Sequence, residues 1–141
     1  MQAYISTSYI RRQSLSDAIE TITASFNECG IEQFVFVNNY LFDKSRQKEM
    51  MQQAFFDIGR ADILVAETSD KAIGISVEVG YAKAKGKIII YLRQMNAEHS
   101  TTVAGTSDHQ IIYNNVNDLG MKLIQVVSTI QRNLPKTDIR K

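Results

Sequence analysis

The chain is poor in the residues that staple, chelate or anchor. Cys29 is its only cysteine. An internal disulfide and a cysteine-built zinc cluster are therefore excluded, which fits a reducing compartment. Near the end of a helical pattern, Cys29 reads as core or inert surface, not as a nucleophile. The two histidines, His99 and His109, have no acidic partner at metal-binding spacing, so no metal is expected. No apolar run approaches the roughly 20 residues of a membrane-crossing helix. A basic excess is also missing. The formal net charge is +1, which argues against non-specific binding of nucleic acid. The first residues, MQAYISTSYIRR, lack a signal-peptide pattern because Arg11 and Arg12 follow only a short mixed stretch. A cytoplasmic protein is the expectation.

What is present is one domain's worth of alternating pattern. With 141 residues, 44% of them apolar, the chain is long enough to bury a core of its own. Short apolar runs predict strands at 3–7 (AYIST), 32–38 (EQFVFVN), 62–67 (DILVAE), 87–92 (KIIIYL) and 109–113 (HQIIY). The third is apolar on both faces, as in a buried parallel sheet. Leu15, Ile19, Ile22 and Phe26 make a helical stripe, with Ser14 as expected N-cap and Gly30 as the stop. Further helices are expected over 45–60, 75–85 and 116–133. The intervening NNYLFDK and TSDKAIG read as loops, with Tyr40 and Phe42 placed to sandwich a ring or to pack on their own core. Residues 1–136 form a single domain in this reading, and 137–141 a frayed tail. The alternation of strands and helices predicts a doubly wound α/β fold, Rossmann-like or flavodoxin-like: a five-stranded parallel sheet with helices on both faces.

In such sheets, ligands bind outside the carboxyl ends of the strands. The expected helix after the third strand puts Glu78 in its first turn, at the rim of that crevice. Three readings of Glu78 follow. It complements the helix macrodipole, worth about 0.3–1 kcal/mol. It binds a ribose, as in dinucleotide folds, although SDKAIGIS lacks the G-x-G-x-x-G that would accompany that role. Or it is a carboxylate nucleophile, kept ionised by the helix amino end, that attacks an anomeric carbon. The basic cluster KAKGK sits at a helix carboxyl end and suits dipole complementation.

The stretch ADILVAETSDKAIGISVEVGYAKAKGKIIIYL resembles the nucleoside 2-deoxyribosyltransferase family. The matching residues are Ala61, Asp62, Gly74, Glu78, Gly80, Ala82, Gly86 and Lys87. A second match is AYISTS at 3–8, and the resemblance covers about 3–8 and 54–105. It implies that Glu78 is the nucleophile, that the Tyr4 hydroxyl positions it, and that Gly74 and Ser76 bring the loop backbone close to the sugar. The branch that hydrolyses deoxynucleoside 5'-monophosphates looks most similar. By that resemblance Ser8, Arg11 and Ser100 hold the phosphate. Ser100 would be lent by a second protomer, so a homodimer or higher homo-oligomer with a shared site is implied. No organic cofactor is.

The chain also departs from the family pattern. Ala54 stands where the family has a catalytic aspartate, and Asp57, one helical turn on, is the substitute acid. Ala72 stands where the hydrolase branch has a phosphate-binding serine and the transferases an aspartate, with Ser69 and Asp70 nearby. Ser76 replaces a motif glycine, and Arg11 is displaced by one residue. The expected activity is N-glycosidase cleavage of a nucleoside 5'-monophosphate. The alternatives are 2-deoxyribosyl transfer, NAD glycohydrolysis, or nucleotide binding without turnover.

Overall fold

A computed structural model describes residues 1–39 and 43–134. Five strands form one all-parallel sheet: β1 (Gln2–Ser6), β2 (Glu32–Val35), β3 (Ile63–Glu67), β4 (Ile88–Gln94) and β5 (His109–Tyr113), in the order β2-β1-β3-β4-β5. The doubly wound expectation holds. Every residue of β3 is buried, because helices cover both faces of the sheet. One layer holds α1 (Ser16–Glu28) and α6 (Val116–Arg132). Ile22, Phe26, Leu123 and Val127 of these helices pack on Ile5, Val65 and Leu92. The other layer holds α2 (Phe36–Asn39), α3 (Gln47–Arg60), α4 (Ile73–Ala84) and α5 (Thr101–Thr106). There Ile58, Val79 and Val103 pack on Tyr4, Leu64 and Tyr91.

After β1 the chain steps outward to β2 and then back past β1 to β3. The direction of winding therefore reverses between β1 and β3, and a crevice opens at their carboxyl ends.

Several boundaries differ from expectation for physical reasons. Ser14 does not cap α1. Its hydroxyl donates to the Arg11 carbonyl at 3.0 Å within a turn, and the helix begins at Ser16 with Leu15 in the cap position. Strand β2 stops at Val35 because its ladder with β1 ends at the Ile5–Val35 pair. The next residues coil into α2, closed by Asn39 Nδ2 donating to the Val35 carbonyl at 2.6 Å. This turn brings Phe36 onto Tyr4, with ring centroids 6.0 Å apart. Helix α5 falls where the sequence pattern predicts neither helix nor strand. Ser100 caps it, accepting from Val103 N at 3.5 Å. Gly30 and Gly86 do end their helices, at φ of 73° and 74°, where a side chain would be strained. Tyr40 and Phe42 and the tail from 137 lie outside the described residues.

Candidate active site

Helix α4 starts at Ile73, two residues earlier than its sequence pattern indicates, so Glu78 stands in the second turn. The amino-terminal field of the helix falls off within the first turn, and burial governs Glu78 instead. The surrounding protein pushes its carboxyl above the ordinary value near 4.5, and hydrogen bonds from Tyr4 and Ser6 oppose that rise. The expectation that the helix end keeps Glu78 ionised is therefore corrected: Glu78 lies beyond the first turn, and the groups that favour its charged form are the Tyr4 and Ser6 hydroxyls.

Both donors come from β1. Tyr4 Oη donates to Glu78 Oε2, and Ser6 Oγ donates to Oε1 at 2.7 Å. Side chains two apart on a strand share a face, so AYIST puts these two hydroxyls side by side. The buried Tyr4 ring is wedged between Phe34 and Phe36, which fixes where its hydroxyl points. Sequence reasoning missed Ser6. The period of two running from Tyr4 was the available signal.

Glu78 faces a cavity of about 460 Å³ between the carboxyl ends of β1 and β3. Residues 7–10, Phe36 and Val37 form one side, Met50, Met51 and Ala54 another, and residues 70–75 the third. Among the described residues lining it, Glu78 and Asp70 are the carboxylates.

The other expected residues divide into three groups. Ser8 and Gly74 line the cavity. Ser8 is buried, and its Oγ accepts from Arg11 N at 3.3 Å, which leaves the hydroxyl hydrogen free to donate. A side chain at Gly74 would meet no protein atom within 4 Å, so the backbone there is open to an approaching ligand. Arg11 lies outside, largely exposed, with Nε 3.8 Å from Asp70 Oδ1. Ser76 and Ser100 line a second cleft, of about 290 Å³, which shares the wall formed by residues 70–73 and Ile75. Ser100 N donates to Tyr91 Oη at 3.1 Å.

Asp57 goes elsewhere. It lines a cavity of about 130 Å³ with Gln2, Ala3, Tyr4, Phe34, Arg60 and Ala61, on the amino-end side of Tyr4. Gln53 Nε2 donates to its Oδ1 at 3.2 Å. One helical turn separates Asp57 from Ala54, and along α3 that turn leads away from the crevice. Ala54, at the position of the family aspartate, does line the cavity.

No family model matches the sequence, and no curated protein matches it. Solved structures do match in shape. A CMP N-glycosidase from Clostridium botulinum, BcmB, superposes with a TM-score of 0.66 at 22% identity, covering 87% of this chain and 98% of that one. A conserved protein from Enterococcus faecalis V583 gives 0.68 at 17% identity, over 89% and 98% of the two chains. A 2-deoxyribosyltransferase from Bacillus psychrosaccharolyticus gives 0.66 at 14% identity, over 87% and 96%. The chain thus shares its fold with a CMP N-glycosidase and with a 2-deoxyribosyltransferase.

Proposed function

We propose that this protein cleaves the N-glycosidic bond of a nucleoside 5'-monophosphate, with Glu78 as nucleophile. The observation that carries this reading is the Glu78 carboxylate, held by Tyr4 and Ser6 at the wall of a cavity of nucleotide-binding size in the crevice between β1 and β3. The likeness in fold to a CMP N-glycosidase supports it.

An oxygen of ionised Glu78 attacks C1', and the C1'–N bond breaks with its electron pair going to the base. Water then attacks C1' of the glycosyl-enzyme ester, releasing the sugar phosphate and restoring the carboxylate, and the proton that the water gives up balances the one the departed base takes from solvent. The apolar wall of Met50, Met51 and Phe36 suits the flat faces of a base. Ser8 donates to the phosphate. Ala54 offers no proton to the departing base, and general acid help is typically worth 10²–10⁴-fold, so turnover is slow. Ser100 serves the cavity of a second protomer. Exposed Ile73 and Val77 on α4, beside the cleft of Ser76 and Ser100, support a homodimer that packs there.

One observation favours a second reading. Asp70 lines the same cavity and faces Arg11. Its charge offsets the guanidinium and repels a phosphate, which suits an unphosphorylated nucleoside and base transfer. Incubating the protein with nucleoside monophosphates, nucleosides and NAD, and following released or exchanged base by chromatography, separates these readings. Release from none of them leaves a binding protein.

A further inference from the structure

A fully buried carboxylate sits on the other side of the sheet. Along β3, Leu64 and Ala66 face the α3–α5 layer, while Ile63 and Val65 face α1 and α6. Glu67 continues the latter row and is fully buried. A carboxyl group in such a place is costly unless its oxygens are satisfied. Both are. Ser69 N donates to Oε1 at 2.5 Å, and Tyr113 Oη donates to Oε2 at 2.6 Å. Ser69 Oγ in turn accepts from Gln94 N at 2.9 Å and lies 3.5 Å from Tyr113 Oη. Between them, Thr68 makes two bonds to the Leu92 carbonyl, from N at 2.8 Å and from Oγ1 at 2.9 Å. The end of β3 is thus tied to the ends of β4 and β5.

The next residues along the chain, 70–73, form the wall shared by the Glu78 cavity and the adjoining cleft. They carry the amino end of α4, where Ala72 provides no side-chain cap. The two hydroxyls that bond the Glu78 carboxylate come from β1, not from this tie. A purely apolar residue at 67 would fill the core with less desolvation cost. The polar group earns its place through what it holds.

We propose that Glu67, Ser69 and Tyr113 form a clamp that positions the wall at residues 70–73, making Glu67 and Tyr113 positioning residues for ligand binding in the Glu78 cavity. The network works with Glu67 in either protonation state. As a carboxylate it accepts from Tyr113. When neutral it donates to Tyr113 Oη, whose hydrogen turns toward Ser69 Oγ. Glutamine at 67 can make the same two contacts, accepting from Ser69 N and donating to Tyr113 Oη.

The clamp's effect on catalysis rests on the proposed function, but its effect on the wall does not. The test therefore has two arms, on wild type, Tyr113→Phe, Glu67→Ala and Glu67→Gln. Amide hydrogen exchange of peptides covering 68–75 is compared with that of peptides from α6. KM and kcat for base release are measured with cytidine 5'-monophosphate. In Tyr113→Phe and Glu67→Ala, exchange at 68–75 should speed up roughly tenfold, about the worth of one hydrogen bond to a buried group, while α6 stays within about twofold. KM should rise by a similar factor with kcat nearly unchanged, and Glu67→Gln should behave as wild type in both arms. Tyr113→Phe keeps the ring in the core, so it decides the matter should Glu67→Ala not fold. Unchanged exchange at 68–75, equal acceleration in α6, or a Glu67→Gln as impaired as Glu67→Ala overturns the clamp. A wild type that releases no base from the monophosphate overturns the proposed substrate instead, and the exchange arm still decides the clamp.

Discussion

Glu67 and Glu78 belong to one strand–loop–helix segment and end on opposite faces of the sheet, each receiving a hydrogen bond from a buried tyrosine. Burial pushes both carboxyls upward, and the hydroxyl bonds restrain the rise. Burial and the neighbouring Glu67 also push the Tyr113 hydroxyl above the ordinary tyrosine range. One residue of the pair is assigned to chemistry and the other to holding the wall.

Glu78→Gln should abolish base release while leaving the fold intact. The amide keeps an oxygen to accept from Ser6 or Tyr4 but has no charge with which to attack C1'. Base release is followed by chromatography and the fold by thermal melting. Wild-type turnover in Glu78→Gln would remove the nucleophile assignment.

The rate should depend on pH in a defined sense. Glu78 must be ionised to attack, and burial raises its pKa. Base release should therefore climb with pH through a midpoint above the ordinary value of about 4.5. Tyr4 and Ser6 favour the ionised form, so Ser6→Ala and Tyr4→Phe should each move that midpoint to higher pH. A pH–rate profile of kcat/KM measures it. A shift to lower pH in either variant contradicts the assigned hydrogen bonds.

Stability should carry the opposite dependence. A carboxyl whose pKa is raised by folding binds its proton more tightly in the folded state. Its contribution is complete below the ordinary value and is lost as pH rises through the raised one. Melting temperature should thus fall as pH increases across that window. Glu67→Gln, which has no proton to lose, should flatten the fall and melt at or above wild type near neutral pH. Equal slopes for the two proteins would mean that Glu67 does not titrate there.

The two aspartates near the proposed chemistry should part company. Asp57 does not line the Glu78 cavity and accepts a bond from Gln53, so Asp57→Asn should leave base release within about twofold, whereas loss of a general acid typically costs 10²–10⁴-fold. Asp70 lines the Glu78 cavity and faces Arg11. Asp70→Asn should shift preference toward monophosphates, because a like charge near the phosphate is removed. Relative kcat/KM for a nucleoside and its monophosphate decides this. No change in that ratio would place the phosphate elsewhere.

Much of this was legible in the sequence because local pattern and buried position agreed. The doubly apolar run before Glu67 could only be a central strand, and Gly30 and Gly86 marked helix ends through their backbone freedom. Tyr4 and Glu78 were legible through family resemblance, and the structure brings them together. What failed depended on where chains meet. EQFVFVN has strand character throughout, but an edge strand lasts only as long as its neighbour's ladder. Asp57 is near Ala54 along the chain, but one turn of α3 takes it out of the Glu78 cavity. Ser6, Glu67 and Tyr113 are ordinary residues by composition. Their contacts run across the sheet, between positions far apart in sequence.

The support of Glu78 comes from β1, and its backbone from α4. The two segments are linked through the pairing of β1 with β3, in which Tyr4 lies beside Leu64 and Ser6 beside Ala66. A fragment beginning at Ala54 would contain the motif glutamate and neither hydroxyl that orients it. During folding, that long-range pairing has to close a large loop before the carboxylate is held, and such closures are slow compared with helix formation. Competence at Glu78 should therefore return during refolding only once β1 has paired with β3.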